Sequence, residues 1–321
     1  MKKFIVVVFC LAIIIFITFN ITEISDYLAN KLSAKQQLVI EDKNEYAKEA
    51  GFLFVNLNED YIPYSYQDLL NITYSVINNG WDSFTFYCPT EYKNCLDDMQ
   101  EISKNELVLT HINNYVHPFN NFTVLNTSIL TSGEITLNIT HVYSDNQIQA
   151  INTEVDRLMN LLVKENNTDY ENIKAIHDYI INNTKYDEQY ESGDSPYASS
   201  IAYGTLFDHY ATCNGYTDTM AIFLTKLGIP NYKIATTKED ISYSATGHVW
   251  NAVFTGGKWL HLDLTWDDPI SDDGRNILLH KYFLVTTDEL NEADSGEVTI
   301  EEHNFNKSIY LEFNEKSALL S

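Results

Sequence analysis

The pattern of apolar and polar positions changes several times along the chain. Residues 4–22 form one uncharged apolar run, close to the roughly 20 residues that span a bilayer. In residues 51–141, short alternating stretches such as SFTFYC, LVLTHI and EITLNITHVY predict strands, with one helix over 66–77. From Asn146 the spacing becomes helical, and two alternating stretches return near residue 250. The pattern therefore predicts a mixed α+β protein.

These changes predict four parts of the chain. Residues 1–23 are predicted to be a signal-anchor transmembrane helix and residues 24–50 a helical stalk. Residues 51–145 are predicted to form a small α+β module of unassigned role, and residues 146–321 a second domain.

The charges around the apolar run predict its orientation. Lys2 and Lys3 precede it and Glu23 follows it, which favours an N-terminus inside the cell and the rest of the chain outside. The alternative is a secreted protein whose signal peptide is cleaved. We favour the anchor because no small-x-small cleavage site follows the run. Cys10 lies within it as an apolar residue.

The charge balance excludes one class of partner. Asp and Glu number 45 against 20 Lys and Arg, which gives a formal net charge of −25. Such a surface repels nucleic acid, so no nucleic-acid partner is expected. No cofactor is predicted, and the oligomeric state is left open.

Of the three cysteines beyond the apolar run, two are predicted to form a disulfide and one is predicted to have no partner within the chain. Cys88 and Cys95 stand close together, a spacing that suits a local disulfide in an oxidising compartment. A zinc site would need two further ligands, and the chain has no second cysteine pair. Cys213 is then left alone, either for an intermolecular bond or as a reactive thiol.

A helix is predicted to start close to Cys213. Its apolar face consists of Tyr216, Met220, Phe223, Leu224 and Leu227. Gly228 and Pro230 end it. A thiol at a helix N-terminus meets unpaired N–H groups that favour the thiolate. Position alone leaves open whether Cys213 is activated or merely tolerated there.

A hairpin follows this helix. Residues 247–254 and 258–266 both alternate, and Gly256 with Gly257 is a turn signal between them. Pairing Thr255 with Lys258 places Asp263 opposite Trp250, with His248 one diagonal step away on the same face. A one-residue slip would turn Asp263 to the opposite face, where the core residues are expected: Val249, Val253, Leu260, Leu262 and Leu264.

Cysteine, histidine and aspartate together are what acyl transfer through a thiol requires. The thiolate attacks a carbonyl carbon, the imidazole moves the proton and the carboxylate orients the imidazole. The Cys213 backbone N–H is a candidate oxyanion donor. His261 is a competing base but lies near the turn. The remaining histidines are expected to be structural, among them His177, His209, His280 and His303.

The stretches YGTLFDHYATCNGYTDTMAIFLTKLGIP and GHVWNAVFTGGKWLHLDLTWDDP resemble the bacterial transglutaminase-like superfamily. The resemblance covers roughly residues 170–310. It implies a papain-like α+β core of N-terminal helices plus an antiparallel sheet, within residues 146–321. Carried over to this chain, it makes Cys213 the nucleophile, His248 the base and Asp263 the third member of a triad. Asn214 stands where the family often has Glu.

Further site residues are candidates only. Tyr203 is the candidate second oxyanion donor, and the candidate substrate-groove residues are Tyr216, Trp250 and Trp266. The acidic cluster of Asp267, Asp268, Asp272 and Asp273 does not have the spacing of an EF-hand loop. It is expected to be a solvated turn, and no metal site is predicted.

The predicted function is that of an extracytoplasmic thiol enzyme acting on a peptide or protein substrate. It would cleave or transfer acyl groups of peptide or side-chain amides through a thioester, with hydrolysis favoured over amine transfer. The alternative is a non-catalytic binding or scaffolding module that retains the fold. A redox role is disfavoured because Cys213 has no resolving cysteine nearby.

Overall fold

The computed structural model describes residues 62–236, 247–271, 275–295 and 300–313. The predicted anchor and stalk (residues 1–50) lie outside these ranges, as does Cys10. Among the helices within the ranges, none combines the length and the apolar character needed to cross a membrane.

Helices account for much of the described chain. In chain order they are α1 (Tyr66–Asn78), α2 (Cys95–Ile102), α3 (Glu106–Tyr115), α4 (Asp145–Leu162), α5 (Asp169–Asn183), α6 (Cys213–Lys226), α7 (Leu264–Asp267) and α8 (Thr287–Asp294). Short 3-10 turns lie at Pro118–Asn120, Ile300–His303 and Leu311–Phe313, and one π-helical turn at Gly204–Asp208.

Most strands pair antiparallel. In chain order they are β1 (Ser83–Tyr87), β2 (Phe122–Ile129), β3 (Glu134–His141), β4 (Lys185–Tyr186), β5 (Tyr210–Ala211), β6 (Asn231–Ala235), β7 (Val249–Thr255) and β8 (Lys258–Leu262). The first sheet has the order β1-β3-β2 and the second the order β6-β7-β8, while the short β4 and β5 pair in parallel. The predicted α+β class with an antiparallel sheet is thereby confirmed.

The first part of the chain contains the predicted disulfide. Cys88 follows β1 and Cys95 begins α2, and the two are joined. Of the strand predictions in this part, SFTFYC and EITLNITHVY correspond to β1 and β3. The strand predicted for LVLTHI is wrong.

Residues 106–115 form helix α3 because a helical pattern underlies the apparent alternation. The Asn105 side chain accepts a hydrogen bond from the Val108 amide (3.2 Å) and so caps the helix N-terminus. Val108, Ile112 and Tyr115 then recur at helical spacing and pack into one hydrophobic cluster.

The second sheet is buried on both faces. On one face, Val253 and Leu262 pack with residues of α4, α5 and α6. On the other, Trp250 and Ala252 pack with residues of α1, α3 and the first sheet. The sequence predicted that only one face of the hairpin is buried. The face with Trp250 is buried as well, because residues from the predicted module over 51–145 cover it.

A buried ion pair joins α6 to the second sheet. Lys233 Nζ lies 2.8 Å from Asp218 Oδ1, with both side chains under a tenth exposed. The hydroxyl of Tyr143 donates to Asp218 Oδ2 (2.7 Å) and accepts from the Ala202 amide (2.9 Å). Hydrogen bonds of this kind satisfy two charges that would otherwise be costly to bury. They also fix helix α6, whose first residue is Cys213.

Helix α6 begins and ends as its sequence predicts. It begins at Cys213, and Leu227 is its C-cap. Gly228 follows with a φ of 71°, a left-handed conformation that favours glycine at this position. The hairpin also has the predicted register, with Thr255 paired to Lys258 and Asn251 to Leu262.

We predict that Gly215→Ala destabilises the protein because α6 approaches the chain at Ser199 closely. A Cβ at position 215 would lie 2.2 Å from the Ser199 carbonyl oxygen. Relieving such overlap costs about 1–3 kcal/mol. Chemical denaturation should therefore show a lower free energy of unfolding for this variant. At Gly247 a Cβ would meet only the Thr236 carbonyl, at 3.6 Å, so Gly247→Ala is the control. Equal stabilities of the two variants would contradict the prediction.

Candidate active site

Cys213 lies at the first position of α6. It is half-buried, and it is the free cysteine of the described residues. Thr212, at the N-cap, makes no side-chain hydrogen bond to the amides of the helix. The amides of the first turn are therefore without the usual side-chain cap, and their partial positive charge lies beside the thiol.

His248 stands directly before β7 and connects Cys213 to Asp263. Its Nε2 lies 2.5 Å from Asp263 Oδ2. Because Nε2 is engaged in this way, Nδ1 is the ring nitrogen left for the hydrogen bond with the Cys213 side chain. The structure thus places His248 beside Asp263, as the hairpin register predicts, and brings Cys213 to the same histidine.

The charges around His248 favour its protonated form. Burial by itself lowers the pKa of His248, but Asp263, and after it Cys213, outweigh this effect. The pKa therefore lies well above the ordinary 6.5. For Asp263, burial raises the pKa, but His248 and His303 outweigh it and hold the carboxyl well below its usual range. Each partner keeps the other charged.

Asp263 is held by the backbone as well. It is the N-cap of α7, and its Oδ1 accepts hydrogen bonds from the amides of Thr265 (2.8 Å) and Trp266 (3.2 Å). The other oxygen, Oδ2, faces the histidines. A carboxylate fixed by two amides cannot rotate away from His248 without losing its cap.

The thiol opens onto a cavity of about 400 Å³. Cys213 and His248 lie in its wall, beside three aromatic side chains and three carboxylates. These are Tyr186, Tyr190 and Trp266, and Glu191, Asp268 and Glu302. Among the described residues of the wall there is no lysine or arginine. A second cavity of about 290 Å³ shares Tyr186 and Asp268 with the first and extends the opening.

Of the candidate groove residues, Trp266 lines this cavity, whereas Tyr216 and Trp250 are buried beneath its wall. Tyr216 is 1% exposed, and its hydroxyl donates to Asp268. Trp250 is fully buried on the face of the second sheet that packs with α1, α3 and the first sheet, and its Nε1 donates to His261 Nδ1 (3.0 Å). The candidate oxyanion donor Tyr203 packs against Phe207 and is not part of the cavity wall.

Tyr186 is a cavity residue that sequence reasoning missed. Burial, with Cys213 the next cause, raises its pKa to about 12. The hydroxyl therefore keeps its proton at neutral pH and can donate a hydrogen bond into the cavity. It lies in the short strand β4, 27 residues before Cys213, in a segment whose polar composition predicts only a loop.

The predicted solvated turn after β8 is buried where the structure describes it. Asp267 is fully buried, and its carboxylate accepts from the Tyr282 amide (3.0 Å). Asp268 is 6% exposed, and burial raises its pKa to about 6. Asp267 is enclosed by other elements, whereas Asp268 accepts a hydrogen bond from Tyr216 and reaches the cavity wall. Asp272 and Asp273 lie outside the described residues.

Two side-chain groups have the composition of metal ligands. They are His177, Asp178 and His280, and His248, Asp263 and His303. In the first, both histidines hydrogen-bond Asp178, whose other oxygen lies 2.5 Å from Lys174 Nζ. His177 is a satisfied buried histidine, as expected, since its Nε2 also reaches Asp267 (3.2 Å). Charge-assisted hydrogen bonds account for both groups without an ion.

His303 also belongs to the site, although the sequence predicted only a structural role for it. Its Nε2 lies 2.9 Å from Asp263 Oδ2, and its Nδ1 lies 2.9 Å from Asp294 Oδ1. It belongs to a short 3-10 turn, 40 residues after Asp263 in the chain. Neither periodicity nor turn chemistry indicates a contact over that separation.

Comparison with known families identifies one part of the chain. Residues 156–264 match the Transglutaminase-like superfamily. Cys213, His248 and Asp263 all lie within this range. A comparison with curated proteins gave no significant match.

Two solved structures illustrate the structural similarity. A crystal structure of a TGase has 17% identity and a TM-score of 0.32, over 45% of this chain and 44% of that one. The periplasmic domain of TgpA from Pseudomonas aeruginosa, bound to ethylmercury, has 16% identity and a TM-score of 0.29, over 44% and 62%. This chain thus spans less than two thirds of either protein, and no property of theirs is transferred to it.

We predict that Cys213 is alkylated by iodoacetamide at about pH 6, because a protonated His248 stabilises the thiolate. In His248→Ala the rate at that pH should fall about tenfold or more, since one pKa unit of lost stabilisation is a tenfold change. Mass spectrometry of the full-length chain measures the rate. Cys213→Ser gives the background from the other cysteines. Superimposable pH–rate curves for the wild type and His248→Ala would contradict the prediction.

Proposed function

The chain belongs to the transglutaminase-like superfamily over residues 156–264, and on that premise we propose that it is a thiol enzyme that cleaves amides. The substrate class is a peptide or protein, attacked at a backbone or side-chain amide. The observation that carries the proposal is His248, whose ring lies between Cys213 and Asp263 beside an open cavity.

The first half of the reaction forms a thioester. The Cys213 thiolate attacks the carbonyl carbon, and a carbon–sulfur bond forms while the electron pair of the C=O bond moves to oxygen. When this intermediate collapses, the carbon–nitrogen bond breaks and the leaving amine takes the proton from Nδ1 of His248. Until that transfer Asp263 stabilises the charge of the ring, because its carboxylate is fixed by the amides of Thr265 and Trp266.

The second half releases the acyl group. His248, now neutral, takes a proton from water, which attacks the thioester carbon. The carbon–sulfur bond breaks, and the thiolate and the protonated ring are restored. An amine in place of water would give transfer instead of hydrolysis. We assign hydrolysis as the main reaction.

Two donors in the cavity could stabilise the oxygen anion. The Cys213 amide is at the uncapped start of α6. The Tyr186 hydroxyl, with a pKa of about 12, stays protonated and shares the cavity with Cys213. Tyr186 therefore replaces Tyr203 as the proposed second donor.

We propose that the enzyme acts outside the cytoplasm. The disulfide between Cys88 and Cys95 supports this location, because such bonds persist in oxidising compartments. Anchoring through residues 1–23 is part of the same proposal and rests on their sequence alone.

We predict that a glutamine-containing peptide incubated with the protein yields the hydrolysed product, with or without added amine. Cys213→Ala should yield none, because no thioester can form. Mass spectrometry of the products distinguishes the outcomes. A product that carries the amine would overturn hydrolysis in favour of transfer. If Cys213 is not alkylated at about pH 6 and no amide yields a product, the results would favour a non-catalytic binding module.

We also predict a preference for substrates with a positive charge near the scissile amide, since carboxylates line the cavity. Glu191→Gln should lower kcat/KM for a lysine-containing peptide about two- to fivefold more than it lowers kcat/KM for an uncharged peptide. A difference of this size is expected for one exposed ion pair. Added salt should reduce the difference. Glu188→Gln is the control, because Glu188 lines only the second cavity. An equal loss for both peptides would contradict the prediction.

A further inference from the structure

The carboxylate of Asp263 is shared by two histidines. His248 Nε2 and His303 Nε2 both approach Oδ2, at 2.5 and 2.9 Å. The second nitrogen of His303 reaches Asp294, the last residue of α8, at 2.9 Å. Asp263, Asp294 and His303 are each under 5% exposed. Water therefore does not replace these contacts, and the four side chains form one buried row.

Hydrogen-bond chemistry determines the protons on His303. An ionised carboxylate only accepts hydrogen bonds, so a ring nitrogen that faces one must carry hydrogen. His303 faces carboxylates on both sides and is therefore an imidazolium. Burial by itself lowers the pKa of His303, but its hydrogen bonds to Asp263 and Asp294 outweigh this and raise it. Charges alternate along the row from His248 to Asp294.

We propose that His303 is a positioning residue of the active site, which fixes Asp263 and limits how tightly that carboxylate holds the charge of His248. This inference rests on the proposed function. The second cation shares the oxygen that His248 uses, and it repels the protonated His248 ring, whose centroid is 5.4 Å away. A ring bound by Asp263 alone would release its proton less readily.

The surroundings of the two rings contain few other charges that could produce the same effect. The titratable groups that face His248 or His303 among the described residues are Cys213, His261, Asp263, Tyr282, Asp294 and Glu302. The rings of Trp250 and Trp266 complete the contacts of His303. Apart from His248 itself, His303 is the titratable side chain of this set that hydrogen-bonds Asp263.

The test is the pH dependence of Cys213 alkylation in the full-length chain. His303→Gln keeps an N–H donor for Asp263 but removes the positive charge. In the pH–rate curve of the wild type, the inflection that disappears in His248→Ala belongs to His248. In His303→Gln this inflection should move to higher pH by about one unit, a tenfold change in the protonation equilibrium. With an amide substrate, kcat should fall while KM stays unchanged.

His261→Gln is the matched control. His261 is as buried as His303 and bonds Trp250 and Thr287. Burial, and after it the charge of His303, lowers its pKa to about 3, so it is neutral across the range tested. Its replacement removes a buried ring but no charge. The control should therefore lower the melting temperature and leave the inflection in place.

The possible outcomes separate this inference from the proposed function. A shifted inflection without turnover of any amide would support the role of His303 and count against the proposed function. A His303→Gln curve that superimposes on the wild type, or an equal shift in His261→Gln, would overturn the inference. If His303→Gln does not fold, His303→Asn replaces it. If neither His303→Gln nor His303→Asn folds while His261→Gln does, His303 has a structural role only. That result would also overturn the inference.

Discussion

The carboxylate of Asp263 is the group on which the rest of the site depends. It is almost completely buried, where an unpaired charge would be costly, yet four donors satisfy it. Two are backbone amides at the start of α7, on one oxygen, and two are histidine rings, on the other. Because each ring comes from a different segment, this one side chain ties the entry of β7 and the turn at Ile300–His303 to the end of β8. An element that moved would take at least one of these four donors away from a buried charge.

The second sheet explains where the site can open. Both of its faces are covered, one by α4, α5 and α6 and the other by residues from the first part of the chain. Side chains in its middle, such as Trp250 and His261, are therefore core residues. The opening lies at the end of the hairpin away from its Gly256-Gly257 turn, where β7 begins, β8 ends and α6 starts. A polar side chain at that end can be partly exposed, whereas a polar side chain in the middle of the strands is covered on either face.

Local patterns account for much of what could be predicted. The two glycines set the pairing of Thr255 with Lys258, and that pairing carries His248 to Asp263. Gly228 ended α6 for a similar reason, since its left-handed conformation is a short-range requirement. The same kind of reasoning was wrong for α3, where residues 107–112 are compatible with both a strand and a helix. There the Asn105 cap and packing of Ile112 and Tyr115 decided for the helix.

The sequence by itself determined the residue types of the site, their order, the hairpin register and the pairing of Cys88 with Cys95. These features rest on contacts between near neighbours, whose geometry follows from chain stereochemistry. Only the tertiary structure decided that Trp250 is core, that Asp267 and Asp268 are buried, and that Tyr186 and Glu302 line the cavity. It also placed His303 beside Asp263, across 40 residues of chain, and Asp294 on the other nitrogen of His303. Such contacts depend on the path of intervening loops, and loops carry no periodicity from which a partner could be inferred.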